Sequence, residues 1–193
     1  EVEEVEPNDQ VEKGQELELP VTVNAKVGKA GDVDGFVVKL KSGERLVAAV
    51  EGNGTLGSPM DAVLQVAEIF GAAAPVGGPA PRFARRPEAF VLEQRDDETG
   101  LDPRLSFVAP HDGRYLVRVF AFPSEPNASV ALSGGDNYVY RLTLAAGPFV
   151  DFVLPLARSV AAAAGPFTIE EGNAAPGAEQ RTAEITGAAA DDA

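Results

Sequence analysis

Between residues 16 and 144 large apolar side chains recur at every second position, the spacing of a half-buried strand rather than a helix. Leu17, Leu19, Val21 and Val23 alternate with Glu18, Pro20 and Thr22. Phe36, Val38 and Leu40 follow, and Lys41-Ser42-Gly43-Glu44 reads as a tight turn into Leu46, Ala48 and Val50. The apolar run 61–70 is rich in Val and Ile, which favours a strand over a helix, and 88–94 is another candidate strand. Leu105 and Phe107 lead into the turn residues of Ala109-Pro110-His111-Asp112-Gly113. Tyr115, Val117 and Val119 then share one face against Arg114 and Arg118, and Tyr138, Tyr140, Leu142 and Leu144 close the series. The pattern predicts about eight strands without intervening helices. Such a chain pairs its strands antiparallel and packs two sheets face to face, so the expected fold is an all-β, antiparallel β-sandwich of jelly-roll type.

Two stretches fall outside this period. Residues 71–87 (GAAAPVGGPAPRFARRP) hold Pro, Gly and Ala without alternation and are expected to form a long loop inserted between strands. Residues 147–193 read as a linker or the start of a second module. Apolar character resumes at Phe149, Val150, Phe152, Val153 and Leu154, and again at Phe167 and Ile169. The range 170–193 is poor in large apolar groups and is expected to be disordered. The sequence starts at Glu1 rather than Met and is read as a segment of something longer.

Charge narrows the possible partners. With 16 Lys+Arg against 30 Asp+Glu the net charge is −14, which argues against nucleic acid and against an anionic membrane surface. No apolar run reaches the roughly 18 residues of a spanning helix. The absence of Cys removes disulfides, thiol nucleophiles and thiolate metal sites. One His, and no Ser in a G-x-S-x-G setting, leave no route to a Ser-His triad, and no carboxylate pair stands out as catalytic. The chain is expected not to be an enzyme.

The densest chemistry lies at the amino terminus. Glu4, Glu6, Asn8 and Asp9 place four oxygen-bearing side chains within six residues, on a segment that Pro7 biases toward extended backbone. In that conformation Glu4, Glu6 and Asn8 project on one side. A second acidic pair, Asp32 and Asp34, precedes the Phe36 strand. Ca²⁺ takes six to eight hard oxygen ligands in irregular geometry and needs neither His nor Cys. If the amino-terminal segment folds back beside residues 31–35, the two groups form such a shell. The alternative is a solvated acidic tail followed by an acidic turn.

Other motifs carry less. Asp96 to Asp102 is an acidic loop without EF-hand spacing, and Gly52-Asn53-Gly54-Thr55-Leu56-Gly57 matches G-x-G-x-x-G without a helix to hold a pyrophosphate. His111 sits in a turn. Asn53 and Asn127 head glycosylation sequons, and Arg82, Arg85 and Arg86 form a small basic cluster.

Three motifs in order, Glu4-Val5-Glu6-Pro7-Asn8-Asp9, Gly31-Asp32-Val33-Asp34 and Gly113-Arg114-Tyr115-Leu116-Val117-Arg118-Val119, resemble the bacterial pre-peptidase C-terminal domain, which is related to the collagen-binding modules of bacterial collagenases. Gly57-Ser58-Pro59-Met60-Asp61-Ala62-Val63-Leu64 and Gly100-Leu101-Asp102-Pro103-Arg104-Leu105 resemble versions found in large exported proteins of planctomycetes. The resemblance spans residues 3–146. It implies a small β-sandwich serving as a non-catalytic accessory module of a secreted, periplasmic or cell-surface polypeptide. It also implies a calcium site with Glu4, Glu6, Asn8 and Asp9 as ligands and with Asp32 and Asp34 completing the shell. The expected partners are the rest of a larger exported chain and an extracellular protein or polysaccharide, with no membrane insertion and a monomeric module.

Overall fold

The computed structural model describes residues 1–70, 88–98, 100–123 and 132–147, and the backbone of three later strands. The chain divides into two units, Glu1–Gly147 and Pro148–Ala193. The first contains β1 (Val2–Glu3), β2 (Gln15–Glu16), β3 (Val21–Lys26), β4 (Asp34–Leu40), β5 (Arg45–Glu51), the short helix α1 (Asn53–Leu56), β6 (Asp61–Phe70), β7 (Glu88–Arg95), β8 (Arg104–Val108), β9 (Gly113–Phe122) and β10 (Val139–Ala146). They form two five-stranded sheets, in the orders β1-β3-β10-β5-β8 and β2-β4-β9-β6-β7. The all-β sandwich expected from the alternation is present.

The period of two explains the core. Phe36, Val38 and Leu40 of β4, with Leu64 and Val66 of β6, face Leu46 and Ala48 of β5 and Leu142 and Leu144 of β10, all within one buried cluster. Burying a side chain of this size contributes roughly 1.5–3 kcal/mol, so the alternation outweighs the weak intrinsic preference of any single residue. A smaller cluster lies on the opposite face of the second sheet, where Val37, Ala67 and Leu116 are covered by Val11, Ile69 and Ala89.

The structure corrects the sequence reading in three places. The strand expected from Leu17 begins only at Val21. Pro20 has no N–H to give to a ladder, and Leu17 and Leu19 reach the core from a non-strand segment instead. Pairing is not antiparallel throughout: β1 runs parallel to β3, and β2 parallel to β4. Both are two-residue pieces of the amino-terminal segment laid on the free edge of a sheet, whose unpaired N–H and C=O groups accept a partner of either direction. Finally, α1 interrupts the all-strand pattern.

That helix also settles the G-x-G-x-x-G motif. No side chain of its own caps α1. Asp102 does so from 48 to 50 residues away, with Oδ1 accepting the N–H groups of Gly52 (3.1 Å) and Asn53 (2.7 Å) and Oδ2 that of Gly54 (2.9 Å). The donors that would cradle a phosphate are therefore taken by the chain's own carboxylate. The amide of Asn53 donates to the carbonyl of Ser58 at 2.9 Å, so the first sequon is engaged in the same turn. Replacing Asp102 with Ala removes three charge-assisted bonds and is expected to cost about 1.5 kcal/mol. Thermal melts should record this loss equally with and without Ca²⁺, because the turn is not part of the acidic corner described below.

In the second unit β11 (Phe149–Leu154), β12 (Pro166–Gly172) and β13 (Arg181–Glu184) form a three-stranded antiparallel sheet. Part of β12 and all of β13 fall within the range expected to be disordered. The rest of that range, the expected loop 71–87 with Arg82, Arg85 and Arg86, and the sequon at Asn127 lie outside the described residues.

Candidate metal centre

Strands β3 and β4 are neighbours in sequence but belong to different sheets, each near its sheet's edge. The turn between them, residues 27–33, therefore crosses from one sheet to the other and carries Asp32 at the corner. The amino-terminal segment crosses the same gap, because β1 lies on β3 and β2 lies on β4. Close packing holds it there. A Cβ added to Gly14 would stand 2.8 Å from Val37 Cγ2, and one added to Gly35 would stand 2.8 Å from the carbonyl oxygen of Asn8. Residues 4–9 are thus drawn over residues 32–35 by strand pairing and packing, whatever their charge.

All six residues expected as ligands meet at this corner. Glu4, Glu6 and Asp34 each place one carboxylate oxygen within 4.8 Å of the other two, as do Glu6, Asp9 and Asp32. Oxygens bound to one Ca²⁺ at about 2.4 Å can be no more than about 4.8 Å apart, and each group meets that limit. Glu6 belongs to both groups. Asp32 and Asp34 are buried, at 2% and 0% exposure, while Glu6 and Asp9 are exposed.

Asn8 is fully buried and both ends of its amide are engaged. Its Nδ2 donates to Glu4 Oε1 (2.9 Å) and its Oδ1 accepts from the Gly35 N–H (3.2 Å), while its own N–H donates to Glu6 Oε2 (2.8 Å). It acts as a strut that aims Glu4 and Glu6 and docks the segment on β4. Glu4 Oε2 also accepts the backbone N–H of Lys26 at 3.1 Å.

Asp34 is the unusual member. It occupies the same face of β4 as Phe36, Val38 and Leu40, and so points toward the interior. Its Oδ2 accepts the hydroxyl of Tyr140 at 2.6 Å, but its Oδ1 is buried without a donor. Beside the Asp34 carboxyl lies that of Glu4, close enough for the two to share a hydrogen bond. Two carboxyl groups in contact need a proton or a cation between them. Without metal, burial and then the charge of Glu4 push Asp34 up to about 9. Burial likewise raises Glu4, despite the hydrogen bonds from Asn8 and Lys26 that lower it. Burial, then the charge of Asp34, pushes the Tyr140 hydroxyl well above its usual value.

A pH dependence follows. Unfolded, Asp34 ionises near its ordinary value of 3.8; folded and metal-free, it holds its proton to about 9. The native state then binds more protons across that window, so this contribution to stability is complete below 3.8 and is lost as pH rises toward 9. Chelated protein should melt a few degrees lower at pH 8 than at pH 5.5. Ca²⁺ should raise the midpoint more at pH 8, because displacing the Asp34 proton costs less there. Differential scanning calorimetry at the two pH values checks this.

The remaining motifs do not join the corner. Asp61 is raised by its own burial and then by Asp97 and Asp96, and Glu98 pairs with Arg104 at 3.0 Å. His111 contacts Glu68 through Nε2, and its carbonyl accepts the Tyr115 hydroxyl at 2.7 Å. Glu68, buried at 8% exposure, was not singled out from sequence, although it shares the parity of Leu64 and Val66. Tyr140 and Lys29 were also missed; no local motif marks them, and each enters the corner only through the fold.

Fold and corner together define an all-β sandwich whose amino-terminal segment carries an acidic cluster able to hold a hard cation. No family model matches the chain, and no curated protein does. Solved structures do resemble it. CorA of Methylomicrobium album BG8, a surface-associated copper-binding protein, is 12% identical over 69% of this chain and 98% of its own, with a TM-score of 0.46. PliG of Aeromonas hydrophila, a periplasmic inhibitor of g-type lysozyme, is 14% identical over 69% and 96%, with a TM-score of 0.40. The pre-peptidase C-terminal domain of a collagenase from Bacillus anthracis is 12% identical over 71% and 99%, with a TM-score of 0.41. The last is the kind of domain that the motifs resemble. At these identities the functional reading rests on the residues of this chain.

Proposed function

We propose that residues 3–146 form a non-catalytic accessory module of a larger exported polypeptide, which binds Ca²⁺ at its acidic corner through Glu4, Glu6, Asp9, Asp32 and Asp34. The observation that carries this reading is the fully buried Asp34 carboxyl, one oxygen of which lacks a donor, next to the carboxyl of Glu4. An acidic tail that merely avoided water loss would not turn a carboxylate into a sandwich core. Ca²⁺ suits the donor set because every ligand is a hard oxygen, and because a flexible, irregular shell suits it better than the near-ideal octahedron Mg²⁺ demands. Glu6, shared by both groups, is able to bridge two ions. When bound, the metal neutralises carboxylates on both sides of the gap. It thereby straps the segment before β2 to the two sheets and stiffens the connection to whatever precedes it.

Equilibrium dialysis of the full chain against ⁴⁵Ca²⁺ tests the reading. Saturable binding that Glu6→Ala abolishes is expected, and its absence at millimolar Ca²⁺ would overturn it. A targeting role toward an extracellular protein or polysaccharide has one supporting observation. Phe70 and Phe90, on the paired strands β6 and β7, are 49% and 65% exposed.

A further inference from the structure

The two halves of the acidic corner are not equivalent, and the difference lies in a residue that is not one of the ligands. Lys29 places its ammonium 3.2 Å from Asp32 Oδ1. Its contact is with Asp32, which holds the ammonium's pKa up first through their hydrogen bond and charge, with smaller contributions from the charges of Asp9 and Glu6. Among the described residues no ion pair involves Glu4, Glu6 or Asp34, and the nearby Lys26 ammonium turns away to Asp136 at 3.1 Å.

Lys29 is also built to let go. Its backbone is held: its carbonyl accepts the Asp32 N–H at 3.1 Å, Gly31 N–H donates to the Leu132 carbonyl at 3.0 Å, and a Cβ on Gly134 would fall 2.0 Å from the Lys29 carbonyl oxygen. Its side chain, in contrast, is 69% exposed and can swing into solvent by changing rotamer. An exposed ion pair is ordinarily worth little. Here the partner is a carboxylate at 2% exposure in a cluster that needs positive charge, so the ammonium has a defined place to occupy.

Building on the calcium reading, we infer that Lys29 is a tethered competitor for the outer half of the corner. A divalent ion enters the Glu6–Asp9–Asp32 half only by displacing the Lys29 ammonium, whereas no ammonium has to leave the Glu4–Glu6–Asp34 half. The strap then has two grades of closure at two ion concentrations. The displaced ammonium, still close by, also weakens the second ion through repulsion.

Calorimetric titration of the full chain with CaCl₂, on wild type, Lys29→Met, Lys29→Gln and Lys29→Arg, tests this. Wild type should show a tighter and a weaker binding step. Met and Gln should each strengthen the weaker step by about tenfold or more, and Arg should leave it near the wild-type value. In chelator the Met and Gln variants should melt below wild type, having lost the compensating charge. A purely structural lysine would lower stability and ion affinity together, whereas a competitor moves them in opposite directions. Isotherms of Met and Gln that match or fall below wild type overturn the inference and leave the calcium reading standing. No Ca²⁺ binding by wild type or by any variant overturns both.

Discussion

In chelator, Asp34→Asn melts above the wild-type chain, and Ca²⁺ raises its midpoint by less. The two effects have opposite signs because one carboxylate is responsible for both. Without metal, Asp34 is a buried acid with one oxygen lacking a donor and another carboxyl group against it. The substituted amide keeps an oxygen for the Tyr140 hydroxyl and offers its NH₂ to Glu4, without the proton that the wild-type carboxyl must take up on folding. The gain is about 1–2 kcal/mol. With metal the balance reverses. Selective binding to the native state contributes roughly 2.7 kcal/mol at a hundredfold excess over the dissociation constant. For a unit of this size that is a rise of about 5–10 °C in wild type. Asp34→Asn forfeits the share of this rise that comes from the Glu4–Glu6–Asp34 half, since an amide oxygen carries no charge to balance the ion. Scanning calorimetry of both proteins, in chelator and in millimolar Ca²⁺, gives all four midpoints. A chelated variant that melts below chelated wild type would refute the account of Asp34.

Gly35→Ala is expected to destabilise the chain by about 3 kcal/mol and to weaken its response to Ca²⁺. The new Cβ would stand 2.8 Å from the backbone oxygen of Asn8 and 3.3 Å from Leu116 Cδ1. Leu116 can adjust its rotamer; the main chain of the crossing segment cannot. The segment must lift, which breaks the bond from the Gly35 N–H to Asn8 Oδ1 and releases the strut that aims Glu4. Far-ultraviolet circular dichroism should still report the sheets, because the large core cluster lies on the interior of the sandwich and does not depend on this contact. The midpoint should fall by about 10 °C in Ca²⁺ and by less in chelator. Equal losses under both conditions would mean that the segment is held by packing alone.

Much of this architecture was legible in the order of residues. The expected run 61–70 coincides with β6, and the Tyr115 alternation lies inside β9, because a strand with one buried face must alternate. The inward direction of Asp34 was also legible in principle, since it continues the parity of Phe36, Val38 and Leu40. What hid it was its charge, which marks a residue as solvated in any reading based on composition. Pro20 shortened one expected strand, and β1 and β2 were too short to leave a periodic trace.

The acids at the two places, Glu4 to Asp9 and Asp32 to Asp34, were written in the sequence, and so was the sandwich. Whether those acids meet depended on the chain's path. Strands β3 and β4 lie in different sheets, and the amino-terminal segment pairs with one and then the other, which carries one acidic group across the other. Roles that depend on distance rather than residue type were decided only there: Asn8 as a strut, Tyr140 as the donor to Asp34, Asp102 as a cap for α1, and Lys29 as the cation beside Asp32. Periodicity is a local property that each strand displays alone. A constellation of charges is a property of the packed whole, because electrostatic interactions fall off with separation in space and take no account of separation along the chain.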